Sequence, residues 1–162
     1  MTARPLKLHL RCALVPTREA PAPGIRPMTR SDIPALGKLF YLAYLGTVDY
    51  EGESEQEATS TVTAAFDGEF GPFVPEASMV FDQYGRLLSA SFVTRWQGRP
   101  LLAFAVTAPG SQGQGLSRRC TGAAMQVLAA AGSRELDLFV TQTNVPALAL
   151  YRRLGFAPAR AD

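Results

Sequence analysis

The chain has 162 residues, of which 47% are hydrophobic and 19% charged, a balance that fits one soluble domain with a real apolar core. Its formal charge of +2, with Lys and Arg scattered rather than clustered, argues against a phosphate-tracking surface, so no nucleic-acid partner is expected. No stretch approaches the ~20 apolar residues of a membrane span. Lys7, His9 and Arg11 also interrupt the leucines near the start, so neither a membrane partner nor a signal peptide is expected and the chain reads as cytoplasmic.

Leu6 to Leu14 alternates apolar and basic residues with period 2, which predicts a strand with one basic face. Pro16 and the Pro21-Ala22-Pro23-Gly24 stretch mark a linker, and Ile25 to Met28 reads as a short strand. Thr29 or Ser31 then caps a helix running to about Leu45, with Pro34 in its first turn. Gly46 to Glu55 is an acidic loop, followed by a helix from about Glu55 to Phe66 and a Gly/Pro cluster that ends it.

Ala77 to Phe81 and Leu87 to Thr94 read as strands joined by a turn at Tyr84-Gly85, and Gln97-Gly98 makes the next turn. Ser89 and Ser91 read as a polar sheet face or as contacts to an acceptor or ligand. Leu101 to Val106 is a continuous apolar run, as expected of a strand buried on both faces. A helix follows from about Gly115 to Ala131, with Leu116, Cys120, Ala123, Val127 and Ala131 on its apolar side. Leu136 to Val140 is a strand, Val145 to Leu154 a helix begun by Asn144 and stopped by Gly155, and a short strand from Phe156 closes the chain. The order predicts an α+β fold: a mixed, mainly antiparallel sheet with helices on both faces and a βαβ unit in its C-terminal half.

Cys12 and Cys120 lie far apart with no CxxC, and His9 is the only histidine, so a metal site and a histidine-based triad are both unexpected. Chemistry concentrates in two other places. Gln112-Gly113-Gln114-Gly115-Leu116-Ser117 stands where a buried strand passes into a helix. Small residues there let backbone N–H groups converge at the positive end of the helix dipole, a natural seat for a pyrophosphate. The dinucleotide fingerprint would need glycine where Arg118 stands, and a P-loop would need Lys then Ser or Thr after the second glycine. Neither pattern is met.

Gln112-x-x-Gly115-x-Ser117 resembles the Arg/Gln-x-x-Gly-x-Gly/Ala signature of the GNAT superfamily of acetyl-CoA-dependent N-acetyltransferases. Asn144-x-x-Ala147-x-x-Leu150-Tyr151-x-x-Leu154-Gly155-Phe156 resembles the superfamily's second hallmark segment, and the element order matches from about Ile25 to Phe156. The resemblance implies residues 1–23 as an N-terminal extension with an extra strand and 24–162 as the acyltransferase domain. It further implies acetyl-CoA as co-substrate, with its pyrophosphate on the backbone of Gln112, Gly113, Gln114, Gly115, Leu116 and Ser117. Main-chain groups of Phe104, Ala105 and Val106 would meet the pantetheine and acyl group. Asn144 would touch the pantetheine arm, cap its helix, or both. Arg118 and Arg119 would either reach CoA phosphates or form a solvated face.

Tyr151 is then the expected general acid, donating to the CoA thiolate as it leaves; its other reading is a core tyrosine beside Ala147 and Leu154. Asp49, Glu51 and Glu53, the start of a run of five carboxylates in nine residues, are expected near a small-molecule or peptide amine acceptor, or as a solvated acidic loop. Tyr41, Tyr44 and Tyr50 fit either that pocket or helix packing. Family members usually end with two strands after the last helix, whereas only Ala157 to Asp162 follow Phe156 here. The Leu6–Leu14 strand is therefore expected to fill the edge position of the missing last strand, in its own subunit or in a neighbour's, the latter making a homodimer. A catalyst of acetyl or short-acyl transfer, an acyl-CoA sensor and an interaction module are the functions open at this point.

Overall fold

The computed structural model describes residues 4–160. Among them the order is β1 (Lys7–Ala13), β2 (Ile25–Pro27), α1 (Ile33–Tyr44), α2 (Glu55–Phe66), β3 (Met79–Gln83), β4 (Arg86–Trp96) and β5 (Arg99–Thr107). Then come α3 (Leu116–Ala130), β6 (Glu135–Thr141), α4 (Val145–Arg153) and β7 (Ala157–Pro158). The strands form one mixed sheet ordered β2-β3-β4-β5-β6-β1-β7, antiparallel except for β5 beside β6. No helix among the described residues is long and apolar enough to cross a membrane.

Local chemistry accounts for most boundaries. Ser54 accepts a hydrogen bond from the N–H of Glu57 while Glu57 accepts one from the N–H of Ser54, a reciprocal cap that starts α2. Thr29 and Asp32 make the same kind of box around a single tight turn, and α1 begins only after it, at Ile33. Tyr84-Gly85 and Gln97-Gly98 carry positive φ at both positions, as two-residue hairpin turns demand.

Two cores result, one on each face of the sheet. On one face α1 and α2 pack Leu36, Leu39, Phe40, Val62 and Phe66 against Val80, Ala90 and Phe92. Phe92 is fully buried, edge-on to both Phe40 and Phe66. α1 and α2 approach closely at Gly37, where a Cβ would collide with the side chain of Thr59. On the other face α3 and α4 cover Leu10, Cys12, Val93, Leu136, Leu138 and Val140.

Four expectations need correction. β1 does pair within its own chain, matching β6 from Lys7↔Thr141 to Ala13↔Glu135. It is not the sheet edge, however: β7 pairs on its outer side, and Ala159 N–H donates to the His9 carbonyl at 2.9 Å. The apolar side of α3 runs through Leu116, Cys120, Ala123, Ala124 and Leu128, leaving Val127 half-buried and Ala131 exposed. A period of 3.6 carries residues four apart steadily off the face, so the stripe steps by three as well.

Ser89 and Ser91 are fully buried rather than on a solvated face. Ser91 Oγ lies 3.1 Å from Thr121 Oγ1 of α3, and Ser89 donates to the Val106 carbonyl. β5, finally, is buried on both faces only in part: Leu101, Ala103, Phe104 and Ala105 are half-buried, Ala105 because it lines a cleft.

Candidate active site

β5 and β6 pair in parallel at Leu101↔Asp137 and Leu102↔Leu138 and nowhere further along among the described residues. The cause lies one strand away. Opposite β4 the register jumps from Phe92↔Phe104 to Val93↔Leu102, so Ala103 is an extra residue that bends and twists β5. Beyond the bulge, β5 stays with β4 while β6 stays with β1. The β6-facing peptide groups of Phe104 to Thr107 are thus outside any ladder, available to a strand-like ligand.

The splay opens into a cleft of about 770 Å³, a size typical of small-molecule sites. One wall is the turn into α3. Gly113 and Gly115 hold φ of 78° and 75°, the left-handed conformation that bends the chain from β5 into the helix. Gly115 occupies the N-cap position and no side chain caps it, leaving the first-turn N–H groups of Leu116, Ser117 and Arg118 for an anion. The opposite wall is α4 with Asn144, Ala147, Leu150 and Tyr151, and the loop after α1 closes one end with Thr47, Val48 and Asp49.

This brings together Ala105, Val106, Gln112, Gly113, Gly115, Leu116, Ser117, Asn144, Tyr151 and Asp49. Phe104 points its ring elsewhere, into the aromatic core against Phe40 and Phe92. Gln114 faces a separate hollow of about 500 Å³ between α3 and the Glu19–Ala22 linker, which it shares with Arg119. Arg118 lines both hollows. Glu51 is exposed and donates its N–H to the Glu53 carboxylate, so neither lines the cleft.

Tyr151 is a core tyrosine that also reaches the cleft. Its ring packs in the core, edge-on to Phe156, and it also lines the cleft. Burial, aided by the nearby negative charge of Asp49, pushes its phenol up to about 12. Tyr44 also lines the cleft, and burial raises its phenol above the ordinary tyrosine value, with Tyr151 and Asp49 adding to the effect. Asn144 caps α4, accepting from the Ala147 N–H at 3.3 Å. Its amide nitrogen donates to Asp49 Oδ2 at 3.3 Å, and the Thr141 hydroxyl donates to Asp49 Oδ1 at 2.6 Å.

A second polar cluster escaped the sequence reading. Asp137 of β6 is fully buried yet bonded to Arg11 Nε at 2.8 Å and His9 Nε2 at 3.0 Å, with Arg99 at 3.4 Å. Burial works to raise its carboxyl, but hydrogen bonds from Arg11 and His9 and the charges of Arg11 and Arg99 outweigh it and hold the group below its ordinary value. The basic face of β1 is thus a partner to β6 rather than a solvated surface. Burial raises both thiols, Cys120 to about 12, which leaves neither cysteine suited to nucleophilic work.

Comparison with known proteins places this geometry. Residues 47–156 match the family model described as Acetyltransferase (GNAT) family. The chain is 44% identical over 54 residues to a mycothiol acetyltransferase of Clavibacter michiganensis subsp. michiganensis, covering 33% of this chain and 18% of that protein. It is 37% identical over 70 residues to the mycothiol acetyltransferase of Saccharomonospora viridis, covering 42% and 23%. The matched segments therefore span about a fifth of those relatives' length.

Among solved structures, the ribosomal-protein-S18-alanine N-acetyltransferase of Escherichia coli superposes with a TM-score of 0.67 at 24% identity, covering 84% of this chain and 78% of that one. A GCN5-related N-acetyltransferase of Sphaerobacter thermophilus superposes with a TM-score of 0.70 at 18% identity, covering 96% and 50%. These likenesses concern the fold. With the family model spanning both the glycine turn and the α4 segment, the chain belongs to the GNAT acetyltransferase family.

Proposed function

We propose that this protein transfers an acetyl or other short acyl group from acyl-CoA to the primary amine of a small molecule or peptide. The observation that carries the reading is the placement of three features in one cleft: the β5–β6 splay, the uncapped start of α3 and the Tyr151 phenol.

In this reading the pyrophosphate sits on the N–H groups from Gln112 to Ser117, and the pantetheine extends along the free flank of β5. The resemblance also gave Asn144 to the pantetheine arm; its amide here is turned to Asp49, so that contact would require the amide to be shared. An N–H near Ala105 or Val106 polarises the thioester carbonyl. The acceptor's ammonium first loses a proton, and the free amine attacks the carbonyl carbon. The tetrahedral intermediate then breaks its C–S bond, and Tyr151 gives its proton to the sulfur. The phenolate is reprotonated by the extra proton on the nitrogen of the new amide.

A phenol held at about 12 stays protonated across the neutral range, so the acid form is always present. The burial that raises it also disfavours the departing thiolate, which keeps the two groups matched. The relatives named for mycothiol and the neighbour named for a ribosomal-protein alanine support acetyl transfer to an amine acceptor in general. Of the acidic run Asp49, Glu51 and Glu53, Asp49 is the one that lines the cleft, on the side assigned to the acceptor.

The test has two steps. Acetyl-CoA should raise the melting temperature, since a ligand of the native state stabilises it. Incubation with acetyl-CoA and a panel of amines (spermidine, glucosamine, tyramine and an alanine-ended tripeptide) should release free thiol. A melting shift with no thiol release from any amine would point to a sensor instead.

A further inference from the structure

We propose that Asp49 is the group that receives the acceptor's ammonium and accepts its proton, and that Thr141, Asn144 and Lys7 are positioning residues that aim its carboxylate beside Tyr151. This rests on the acetyltransferase reading above and names the proton acceptor which that reading leaves open.

The argument begins with the acidic run. Of its five carboxylates, Glu57 is consumed by the cap of α2, Glu53 accepts the Glu51 N–H, and Glu51 and Glu55 are exposed. Asp49 alone turns inward, and it is the only carboxylate lining the cleft among the described residues. Both of its oxygens are held. Thr141, with 1% of its surface exposed, donates to Oδ1 at 2.6 Å. Asn144 donates to Oδ2, and its amide cannot turn over without losing the Ala147 N–H that its own oxygen accepts. Lys7 Nζ lies 4.0 Å from Oδ1 on the exposed side.

The carboxylate is therefore held by β6 and the start of α4, two elements other than its own loop, with Lys7 of β1 at the limit of contact. Asp49 shares the cleft lining with Tyr44 and Tyr151, whose phenols are raised mainly by burial and further by its charge. A cation is the complementary guest of a carboxylate in a cleft it shares with two neutral phenols, Lys7 lying at its exposed side. A primary ammonium docked there gives one proton to Asp49, attacks as the free amine, and leaves Asp49 to release that proton to solvent. With Tyr151 cycling its own proton, the net products are the amide, the CoA thiol and one proton.

The experiment compares the parent with Asp49→Asn, Thr141→Val, Thr141→Ser and Lys7→Met, using the best amine of the panel and Glu55→Gln as a surface control. Asp49→Asn should lower kcat/KM for the amine about 100-fold at pH 7. Its rate should climb with pH toward the parent's as the amine loses its proton unaided, while the acetyl-CoA melting shift stays unchanged. Thr141→Val should lower kcat about tenfold and move the acidic limb of the pH profile, and Thr141→Ser should restore both. Lys7→Met should move the same limb without changing KM for acetyl-CoA.

Parent-like rates for Asp49→Asn at pH 7, or a loss that stays constant with pH, would overturn the proposal while leaving the acetyltransferase reading intact. A parent that releases no thiol with any amine would remove both.

Discussion

Arg11 Nε of β1 donates to Asp137 Oδ1 of β6 at 2.8 Å, joining two neighbouring strands that are 126 residues apart in the chain. His9 reaches the same carboxylate from one residue pair along, stacked on Phe139 at 4.6 Å. Asparagine in its place removes the buried negative charge that Arg11 and Arg99 share. Asp137→Asn should cost about 3 kcal/mol, read as a lower denaturant midpoint.

The same group predicts a pH dependence. Its folded value is lowered, so the folded state holds fewer protons than the unfolded one. Its contribution is complete above the unfolded value of about 4 and disappears as pH falls through the lower folded value. The stability gap between parent and Asp137→Asn should therefore be constant at neutral pH and narrow below about pH 4. Chemical denaturation at a series of pH values checks this.

Gly37→Ala tests the α1–α2 contact. Alanine favours helix by about 1 kcal/mol over glycine. The new methyl would strike Thr59 and force the helices apart, a cost of about 1–3 kcal/mol that should win. A double variant with Thr59→Gly should recover only part of the lost stability, since it clears the side chain but leaves the Thr59 Cα 2.8 Å from the new methyl.

Gly115→Ala should weaken the donor rather than the fold. A Cβ there meets nothing within 4 Å, so the effect comes from φ alone, which at 75° suits glycine. Reshaping the turn should raise the acetyl-CoA KM about tenfold, equivalent to about 1.4 kcal/mol, with the melting temperature of the free protein little changed.

Tyr151→Phe should keep acetyl-CoA binding and lose about 100-fold in kcat. In the parent, rate should fall at high pH only as the phenol ionises toward about 12, and the Phe variant should lack that limb. Stopped assays across an alkaline series separate this from denaturation if melting is followed alongside.

Much of this molecule was legible because local chemistry is written in adjacent residues. The paired positive-φ turns and the Asn144 cap each need only a few neighbours to be recognised. The glycine turn belonged to the same class. Strand neighbours did not, since alternation from Leu6 to Leu14 tells which side chains share a face but not which strand lies beside them.

The bulge at Ala103 was equally silent, because it is a mismatch between two strands and neither carries it alone. Asp137 looked like one polar residue in an apolar strand; its meaning depends on Arg11 and Arg99, which are distant in sequence. Thr141 was missed for the same reason. Asp49 was noticed with its acidic neighbours, and only the fold separates the one that turns inward from those that do not.

The place of β1 between β6 and β7 sets the order in which the domain can finish. It leaves the ribosome before every other described element, and its two partners leave after nearly all of them. Until Glu135–Thr141 emerges, the apolar side of β1 has no sheet to join, and the flank of β6 cannot close. Pairing at such separation makes for slow closure and a long-lived open edge on the nascent chain. The Lys7–Asp49 contact likewise waits until β1 has docked against β6.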